Sequence, residues 1–175
     1  SRVLAGPFAT MRLADLGADV VKIEPPGGDE ARAFGPPFVQ GEGGAESVYF
    51  LSVNRGKRSL VLDLRRAEDR ELLHALVAGA DLLVSNFRPG VLERLGLDPQ
   101  RLIERHPRLI VCRISGFGPD DPRPGYDNVI QAMSGIPAMT GAPDGPPVRC
   151  GASIGDLVGG LNTVQAILAA LLNRE

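Results

Sequence analysis

The sequence predicts an α/β protein whose Rossmann-like sheet is open and mainly parallel, with helices on both faces. Apolar, β-branched segments alternate with segments of helical periodicity, which is the pattern of βαβ units. The junction Gly-Ala-Asp followed by a strand-like run occurs twice, at residues 17–19 and 79–81. Ligands of such folds bind beyond the carboxyl ends of the strands. We therefore expect the functional residues in the loops that follow the strands.

The first helix and the first strand are predicted at residues 7–16 and 18–23. Apolar residues recur at helical spacing between a proline suited to the first helical position and Gly17, which suits a C-terminal cap. The β-branched run that follows is stopped by two prolines and two glycines at residues 25–28.

The middle of the chain repeats this alternation of strands and helices. Strands are predicted at residues 59–64, 82–84 and 109–114, and helices at residues 68–78 and 98–106. The nearly continuous apolar character of the second and third of these strands fits a sheet covered on both faces.

The last third of the chain changes in composition. Glycine and proline recur every few residues between 116 and 160, interrupted by a short helix at 127–133. A final helix, apolar along one face, is predicted at residues 155–174. A long loop region within a domain is often functional, and we interpret this one in that way.

Composition excludes several classes of partner. The chain has 175 residues, with 19 Lys and Arg against 21 Asp and Glu, so it lacks the charge excess typical of proteins that bind nucleic acid or acidic membranes. No apolar stretch approaches the ~20 residues of a membrane span. The two cysteines lie apart from each other and from histidine, which argues against a metal site and favours the cytoplasm. Because the chain begins without methionine, we expect it to be part of a longer product.

Two sequence patterns offer weak functional hypotheses. Residues 151–155 form a GxSxG string around Ser153, as in the nucleophile elbow of α/β-hydrolases. In α/β-hydrolases the acid and the histidine of the catalytic triad follow the serine along the chain. Neither His74 nor His106 lies beyond residue 155. Residues 116–118 begin a dinucleotide-binding pattern but lack its third glycine and its following helix. Hydrolase and nicotinamide chemistry are therefore disfavoured.

Asp156 is the most informative candidate, because it lies among glycines at the predicted start of the last helix. One interpretation is structural, since an aspartate there satisfies unpaired helix amides. The other is a carboxylate nucleophile, with glycines that permit close approach of an acyl group. In that second case, we expect the helix amides to favour the ionised carboxylate.

Several ordered motifs together resemble a known family. They are AGPFA at residues 5–9, LADLGADVVKIEPPGGD at 13–29, NRGKRS at 54–59 with LDL at 62–64, NFRPG at 86–90, GYD at 125–127, and the run from TG at 140–141 to GD at 155–156. In this order they resemble class III CoA-transferases, the CaiB/BaiF family, over essentially the whole chain. The resemblance implies the N-terminal part of a larger family fold, truncated at both ends, and a homodimer in the full-length protein.

The resemblance also implies roles for individual residues. Asp156 matches the catalytic aspartate, which forms a mixed anhydride from an acyl-CoA and then an aspartyl-CoA thioester before a small carboxylic acid accepts the CoA. The positions that match the binding site for coenzyme A are Ala5, Leu62, Asp63, Leu64, Arg65, Asn86, Phe87, Arg88, Tyr126 and Asp127, and Arg94 is a further candidate on its charge alone. Among these, the arginines suit phosphates and Phe87 suits adenine or pantetheine. No metal is implied.

Two departures from the family pattern bear on the reaction. Pro25 stands where formyl-CoA transferase-like members carry a CoA-contacting arginine. Tyr126 stands where the acyl-CoA racemases carry a histidine, and a phenol is a poor proton carrier at neutral pH. Transfer is therefore favoured over racemisation. An α-methylacyl-CoA racemase or epimerase and a non-catalytic CoA-binding fragment stay as alternatives.

Overall fold

Helices and short strands alternate along the chain in the computed structural model, which describes residues 1–41 and 43–174. The elements, in chain order, are α1 (Ala5–Asp15), β1 (Val20–Glu24), β2 (Phe38–Gly41), β3 (Gly44–Ser47), α2 (Val48–Asn54), β4 (Lys57–Val61), α3 (Ala67–Ala78), β5 (Leu82–Ser85), α4 (Val91–Arg94), α5 (Pro99–Arg105), β6 (Ile110–Arg113), α6 (Asp127–Ser134) and α7 (Ile154–Arg174). Short 3-10 helices lie at Glu30–Ala33 and Ile136–Met139. The predicted α/β fold class is confirmed.

The parallel strands form two hydrogen-bonded pairs. β1 pairs with β4, with Val20 opposite Lys57 and Glu24 opposite Val61. β5 pairs with β6, with Leu82 opposite Ile110. Within the described residues these pairs are separate two-stranded sheets that pack against one apolar core.

Helices cover both faces of the β5–β6 pair. Successive side chains of a strand point to opposite faces. Leu83 accordingly packs against the core that includes Leu73 of α3 and Leu102 of α5. Leu82 and Val84 pack against the opposite core, which is built by α1 and α7. This alternation explains why the strand is apolar at successive positions, as the sequence indicates.

Small residues bring α7 against α1. A Cβ atom placed on Gly160 would lie 2.8 Å from Phe8 Cδ1 and 3.0 Å from the carbonyl oxygen of Ala5. Ala9, on the facing side of α1, is completely buried. The contact fixes the first turns of α7, which carry Asp156, next to the first turn of α1.

The segment between β1 and β4 contains elements that the sequence does not predict. β2 and β3 pair antiparallel, with Phe38 opposite Ser47. The Ser47 hydroxyl then accepts a hydrogen bond from the Phe50 amide and caps α2. All residues of β2 are exposed, so this strand lacks the alternation that marks a half-buried one.

A buried ionic cluster supports the loop after β1. Arg32 donates two hydrogen bonds of 2.8 Å to the Glu24 carboxylate, which also accepts from the Ser59 hydroxyl. Burial alone would raise the pKa of Glu24, but these hydrogen bonds lower it to about 2. Beside them, the Lys22 ammonium lies 2.6 Å from the Asp29 carboxylate. The polar loop that the sequence places after the first strand is therefore held by buried ion pairs and hydrogen bonds.

α7 is the one described helix that is long and apolar enough to span a membrane, judged on length and composition alone. A single helix of this kind is weak evidence, because core helices of soluble proteins have the same properties. Its contact with α1 buries Gly160, Val164 and Ile167. The expectation that the protein has no membrane partner stays a prediction.

Candidate active site

A cavity of about 270 Å³ opens where β5 and β6 end and α7 begins. Its walls combine the start of α1, the loops after the two strands, one residue of α6 and the first turns of α7. The lining residues are Ala5, Asn86, Phe87, Arg88, Pro89, Ile114, Ser115, Gly116, Arg123, Gly125, Ile130, Gly155, Asp156 and Gly159. A neighbouring cavity of about 560 Å³ shares Phe87 and Arg88 with it. The site lies at the strand ends, as the fold class predicts.

The carboxylate of Asp156 does not cap its own helix. The amides of Gly155 and Asp156 donate instead to Asp127 Oδ1, at 2.8 and 3.3 Å. The capping part of the structural interpretation of Asp156 is therefore wrong, because Asp127 performs the capping, while Asp156 still lies in the first turn of α7. Among the described residues, none donates a hydrogen bond to the Asp156 carboxylate. It lines the cavity with both oxygens available.

The pKa of Asp156 is raised to about 6, chiefly by burial and then by the negative charge of Asp127. The expectation that helix amides favour the ionised form of Asp156 is wrong in this respect, because Asp127 occupies those amides. Burial likewise raises the pKa of Tyr49 to about 12, with help from the charges of Asp156 and Asp127. The Tyr49 phenol is therefore neutral at pH 7 and lies within electrostatic range of these two carboxylates.

Asp127 is held in turn by Gln131, one turn further along α6. The Gln131 amide nitrogen donates to Asp127 Oδ2 at 2.7 Å and to the carbonyl oxygen of Ala152 at 3.1 Å. The Gln131 oxygen accepts from the Cys150 amide at 2.8 Å. The side chain of Gln131 is 1% exposed. The buried amide of Gln131 thus binds both the loop before α7 and the Asp127 carboxylate that caps α7.

Glycines permit close packing around the cavity, both in the loops after β6 and at the start of α7. A Cβ atom on Gly125 would lie 2.5 Å from the Cα atom of Gly116, so the two backbones meet directly. A Cβ atom on Gly155 would lie 3.1 Å from Asp127 Oδ1 and 3.2 Å from Ile130 Cγ2. The glycine-rich composition of this region therefore serves close packing around the carboxylates.

Four of the positions implied to bind coenzyme A lie in the same cavity as Asp156. They are Ala5, Asn86, Phe87 and Arg88. The Asn86 side chain is already engaged, since it donates to the carbonyl oxygen of Arg2 and accepts from its amide, both at 2.7 Å. It therefore fastens the segment that leads into α1, whereas Phe87 and Arg88 face both cavities.

The segment after β4 lies away from both cavities. Leu62 is buried in the core, with Leu64 packed against the same cluster. Arg65 donates two hydrogen bonds of 2.8 Å to Asp63, and the Arg65 side chain is 85% exposed. This pairing lowers the pKa of Asp63 to about 2.

Three further candidates, Arg94, Tyr126 and Asp127, also lie outside the cavity walls, and Asp127 caps α7 as described above. Arg94 ends the short helix α4, and the ring of Tyr126 is 55% exposed in front of α6. Contacts of these residues with coenzyme A stay predictions, as do those of the segment after β4.

Sequence reasoning missed several residues of the site. Tyr49 and Gln131 lie in elements remote from Asp156 along the chain, and no local pattern indicates that the charge of Asp156 reaches Tyr49 or that Gln131 binds Asp127. Arg123 lines the cavity with its guanidinium 4.1 Å above the Phe117 ring and paired with Asp121. An arginine in a polar loop does not by itself indicate a site residue, because most arginines are exposed surface charges.

The alternative chemistries find little support in this geometry. The Ser153 carbonyl oxygen accepts from the Leu157 amide at the start of α7, and no histidine lines either cavity in the described part of the chain. Residues 1–41 and 43–174 contain no group of His, Cys, Asp or Glu that could hold a metal ion. The hydrolase interpretation thus lacks a base for Ser153.

Comparison with known proteins gives a consistent result. Residues 1–175 match the family model described as CoA-transferase family III. The chain is 46% identical to succinate–glutarate CoA-transferase of Agrobacterium fabrum, covering 99% of this chain and 45% of that protein. It is 49% identical to acetyl-CoA:oxalate CoA-transferase of Acetobacter aceti, covering 100% of this chain and 45% of that protein.

Solved structures agree with these relatives. A CaiB/BaiF family protein from Brucella suis matches with a TM-score of 0.95 and 47% identity, over 99% of this chain and 47% of that one. A hypothetical protein from Mycobacterium tuberculosis matches with a TM-score of 0.88 and 38% identity, over 99% of this chain and 48% of that one. The chain thus spans about half the length of the proteins it matches.

Proposed function

The chain belongs to CoA-transferase family III, and from this premise we propose that it supplies the nucleophile of an acyl-CoA:carboxylate CoA-transferase, with Asp156 in that role. The observation that carries the proposal is the Asp156 carboxylate itself. It lines a cavity together with Ala5, Phe87 and Arg88, and its helix amides are capped by another residue.

The proposed reaction begins with attack by an Asp156 oxygen on the thioester carbonyl carbon. The carbon–sulfur bond breaks, coenzyme A leaves as thiolate, and a mixed anhydride remains on Asp156. The thiolate then attacks the aspartyl carbonyl carbon, and the donor acid leaves as its carboxylate. The product of this half-reaction is an aspartyl-CoA thioester.

The second half-reaction reverses these steps with the acceptor. The acceptor carboxylate attacks the aspartyl thioester, expels the thiolate and forms a second anhydride. The thiolate attacks the acceptor acyl carbon, which releases the new acyl-CoA and regenerates the Asp156 carboxylate. No proton is gained or lost overall, and no water is needed.

The electrostatics of the site suit this role. With a pKa of about 6, Asp156 is about nine-tenths ionised at pH 7 and is more basic than an ordinary aspartate. Arg88 lines the same cavity and supplies positive charge for anionic substrates, whereas the charge of Arg123 is already paired with Asp121. The names of the relatives specify succinate, glutarate and oxalate, which supports a dicarboxylic acid as acceptor here.

The remaining expectations about the whole protein belong to the same proposal. We propose a cytoplasmic homodimer that takes an acyl-CoA and a small carboxylic acid, without a metal, nucleic acid or a membrane. Racemisation stays the alternative, but Tyr126 is exposed and does not line the cavity, so it is poorly placed to exchange a proton at an α-carbon.

The test uses the complete gene product that contains these 175 residues, with succinyl-CoA as donor and a panel of dicarboxylates as acceptors. Asp156→Ala and Asp156→Asn are expected to lower transfer by about a thousandfold or more, since each removes the nucleophile. Asp144→Asn, at an exposed loop position, is the matched control and is expected to transfer normally. Substantial turnover by either Asp156 variant would exclude the proposal.

Two further measurements separate the alternatives. Hydroxylamine added with acyl-CoA is expected to leave a hydroxamate on Asp156, detected by peptide mass spectrometry. Deuterium exchange at the α-carbon of a branched acyl-CoA, without transfer, would identify a racemase instead. Coenzyme A binding with neither reaction would identify a non-catalytic protein, and loss of activity only in Ser153→Ala would identify a hydrolase.

A further inference from the structure

We propose that Gln131 is a positioning residue for Asp156: its buried amide holds the Asp127 carboxylate on the α7 amides and so keeps the Asp156 carboxylate unpaired in the cavity. This inference rests on the proposed role of Asp156 as nucleophile. It assigns a function to a residue that touches neither coenzyme A nor the reacting atoms.

The side-chain amide of Gln131 has all of its hydrogen-bonding groups in use. With 1% of its surface exposed, it makes hydrogen bonds to Asp127, to the Ala152 carbonyl oxygen and from the Cys150 amide. These bonds use both donors and the oxygen of the amide, which fixes the direction of the side chain. A residue that only filled space there would not need an amide, because apolar residues are the usual occupants of such positions.

The two oxygens of the Asp127 carboxylate accept hydrogen bonds from different donors. Oδ2 accepts from Gln131, while Oδ1 accepts from the amides of Gly155 and Asp156. Each oxygen therefore has a separate set of donors, and rotation of the carboxylate would break both sets. Gln131 thus controls the occupancy of two amides at the start of α7.

The orientation of the Asp156 carboxylate depends on this arrangement. A carboxylate in the first turn of a helix is attracted to unpaired amides there, as the acid at the third helical position of a capping box is. With Asp127 held in place, those amides are occupied and the Asp156 oxygens face the cavity. Removal of the Gln131 amide releases Asp127, and we expect Asp156 to spend more time bound to its own helix.

The charged and titratable groups that face Asp156 come from several segments. Asp127 approaches from α6 and Tyr49 from α2, while Arg88 and Arg123 come from the two loops of the cavity. Gln131 lies behind Asp127 and is itself uncharged. A new acid at position 131 would therefore act on Asp156 through Asp127.

The experiment compares Gln131→Ala and Gln131→Glu in the complete gene product. Gln131→Ala is expected to lower kcat about 10- to 100-fold at every pH, with the KM for acyl-CoA changed less than about threefold. In Gln131→Glu, two carboxylates at hydrogen-bond distance share one proton at low pH, so the protonated glutamic acid donates to Asp127 as the amide does.

The pH dependence of Gln131→Glu is therefore the decisive measurement. Its kcat relative to wild type is expected to be highest near pH 5.5 and to fall by about tenfold or more towards pH 8.5, where both carboxylates ionise and repel. Asn128→Asp is the matched control. It makes the same amide-to-acid change on an exposed residue of α6, and its relative kcat is expected to stay flat with pH.

Each outcome of this experiment is informative. Normal kcat in both Gln131 variants, with Asp156→Ala inactive, would overturn the inference and leave the proposed function intact. Turnover by Asp156→Ala would overturn the proposed function, and the inference with it. If Gln131→Ala does not fold, the Gln131→Glu profile decides. Failure of both variants to fold, with Asn128→Asp folded, would show a structural role only.

Discussion

At the scale of single residues, Asp156 differs from the paired acidic side chains of the protein. Glu24 and Asp63 each accept two hydrogen bonds from an arginine, and the pKa of each is lowered to about 2. For Asp156, by contrast, burial and a neighbouring carboxylate raise the pKa to about 6. Carboxylates held in ion pairs have low reactivity, whereas a desolvated and unpaired carboxylate is a candidate for catalysis.

The same environment predicts that Asp156 lowers stability. The folded-state pKa lies above the ordinary value of 3.8, so the folded protein binds the proton more tightly than the unfolded chain does. Stability is therefore complete below about pH 4 and declines as the pH rises to about 6. We expect Asp156→Asn to remove this decline and to raise stability by about 1 kcal/mol at pH 8, allowing for solvent screening of a half-buried group.

The measurement is thermal unfolding of the two proteins between pH 4 and pH 8. The stabilisation is expected to be absent at pH 4 and present at pH 8, since only the ionised carboxylate is disfavoured. Asp144→Asn, the exposed control, is expected to shift the midpoint equally at both ends of the range. An Asp156→Asn protein less stable than wild type at pH 8 would contradict this account of the carboxylate.

At the scale of elements, the contact of α7 with α1 determines where Asp156 lies. Gly160 is one turn beyond Asp156 on α7, and its α-carbon faces Phe8 and the carbonyl oxygen of Ala5. Ala5 lines the cavity that Asp156 also lines. The separation of these two helices therefore sets the width of the cavity at its inner end.

A matched pair of glycine substitutions tests this contact. Gly160→Ala places a Cβ atom within 2.8 Å of Phe8 Cδ1, so we expect overpacking to cost about 1–3 kcal/mol. Gly159→Ala meets nothing within 4 Å, and replacing a helical glycine there is expected to add about 0.5–1 kcal/mol. The two variants should thus shift the thermal midpoint in opposite directions, and transfer activity is expected to fall in Gly160→Ala. Equal shifts in both would contradict the close contact of α1 and α7.

The elements that the sequence predicted are those with strong local patterns. The helix predicted at 7–16 is observed as Ala5–Asp15, and the strand predicted at 82–84 as Leu82–Ser85. Apolar periodicity and capping residues are local properties, so they can be found from sequence. The exposed strand Phe38–Gly41 lacks a buried face and therefore lacks the periodic signal of the other strands.

The site was predictable only in part, because its residues are joined by contacts between distant segments. The family resemblance implied Asp156, Phe87 and Arg88, and these three residues line one cavity. The capping of α7 by Asp127 joins residues 28 and 29 positions apart, and the engagement of Asn86 by Arg2 spans 84. No local pattern encodes such pairs. The predicted direction of the pKa shift of Asp156 was wrong for the same reason, since the shift depends on which residue accepts from the helix amides.

At the scale of the whole molecule, the two adjoining cavities set how an acyl-CoA can lie. The cavity beside Asp156, about 270 Å³, is smaller than the usual range of about 300–1,000 Å³ for sites of drug-sized ligands, and coenzyme A is larger than such ligands. On the proposed function, the nucleotide would therefore extend beyond it. The cavity of about 560 Å³ continues from it past Phe87 and Arg88 and also contains Arg113.

This arrangement predicts which arginine recognises the phosphates of coenzyme A. Arg88 faces both cavities, whereas Arg65 is exposed and already paired with Asp63. We expect Arg88→Ala to raise the KM for acyl-CoA about 10- to 100-fold, the loss typical of a charge-assisted hydrogen bond, with a smaller effect on kcat. Arg65→Ala is expected to change the KM less than about threefold, because an exposed ion pair contributes little.

A substrate that lacks the 3′-phosphate identifies the phosphate concerned. If Arg88 binds that group, wild type and Arg65→Ala discriminate against 3′-dephospho acyl-CoA equally, and Arg88→Ala does not discriminate. If Arg88 binds the pyrophosphate, its substitution weakens both substrates by the same factor. A larger KM effect in Arg65→Ala than in Arg88→Ala would instead place the nucleotide over the segment after β4, as the family resemblance implies. It would also show that the larger cavity serves another part of the reaction.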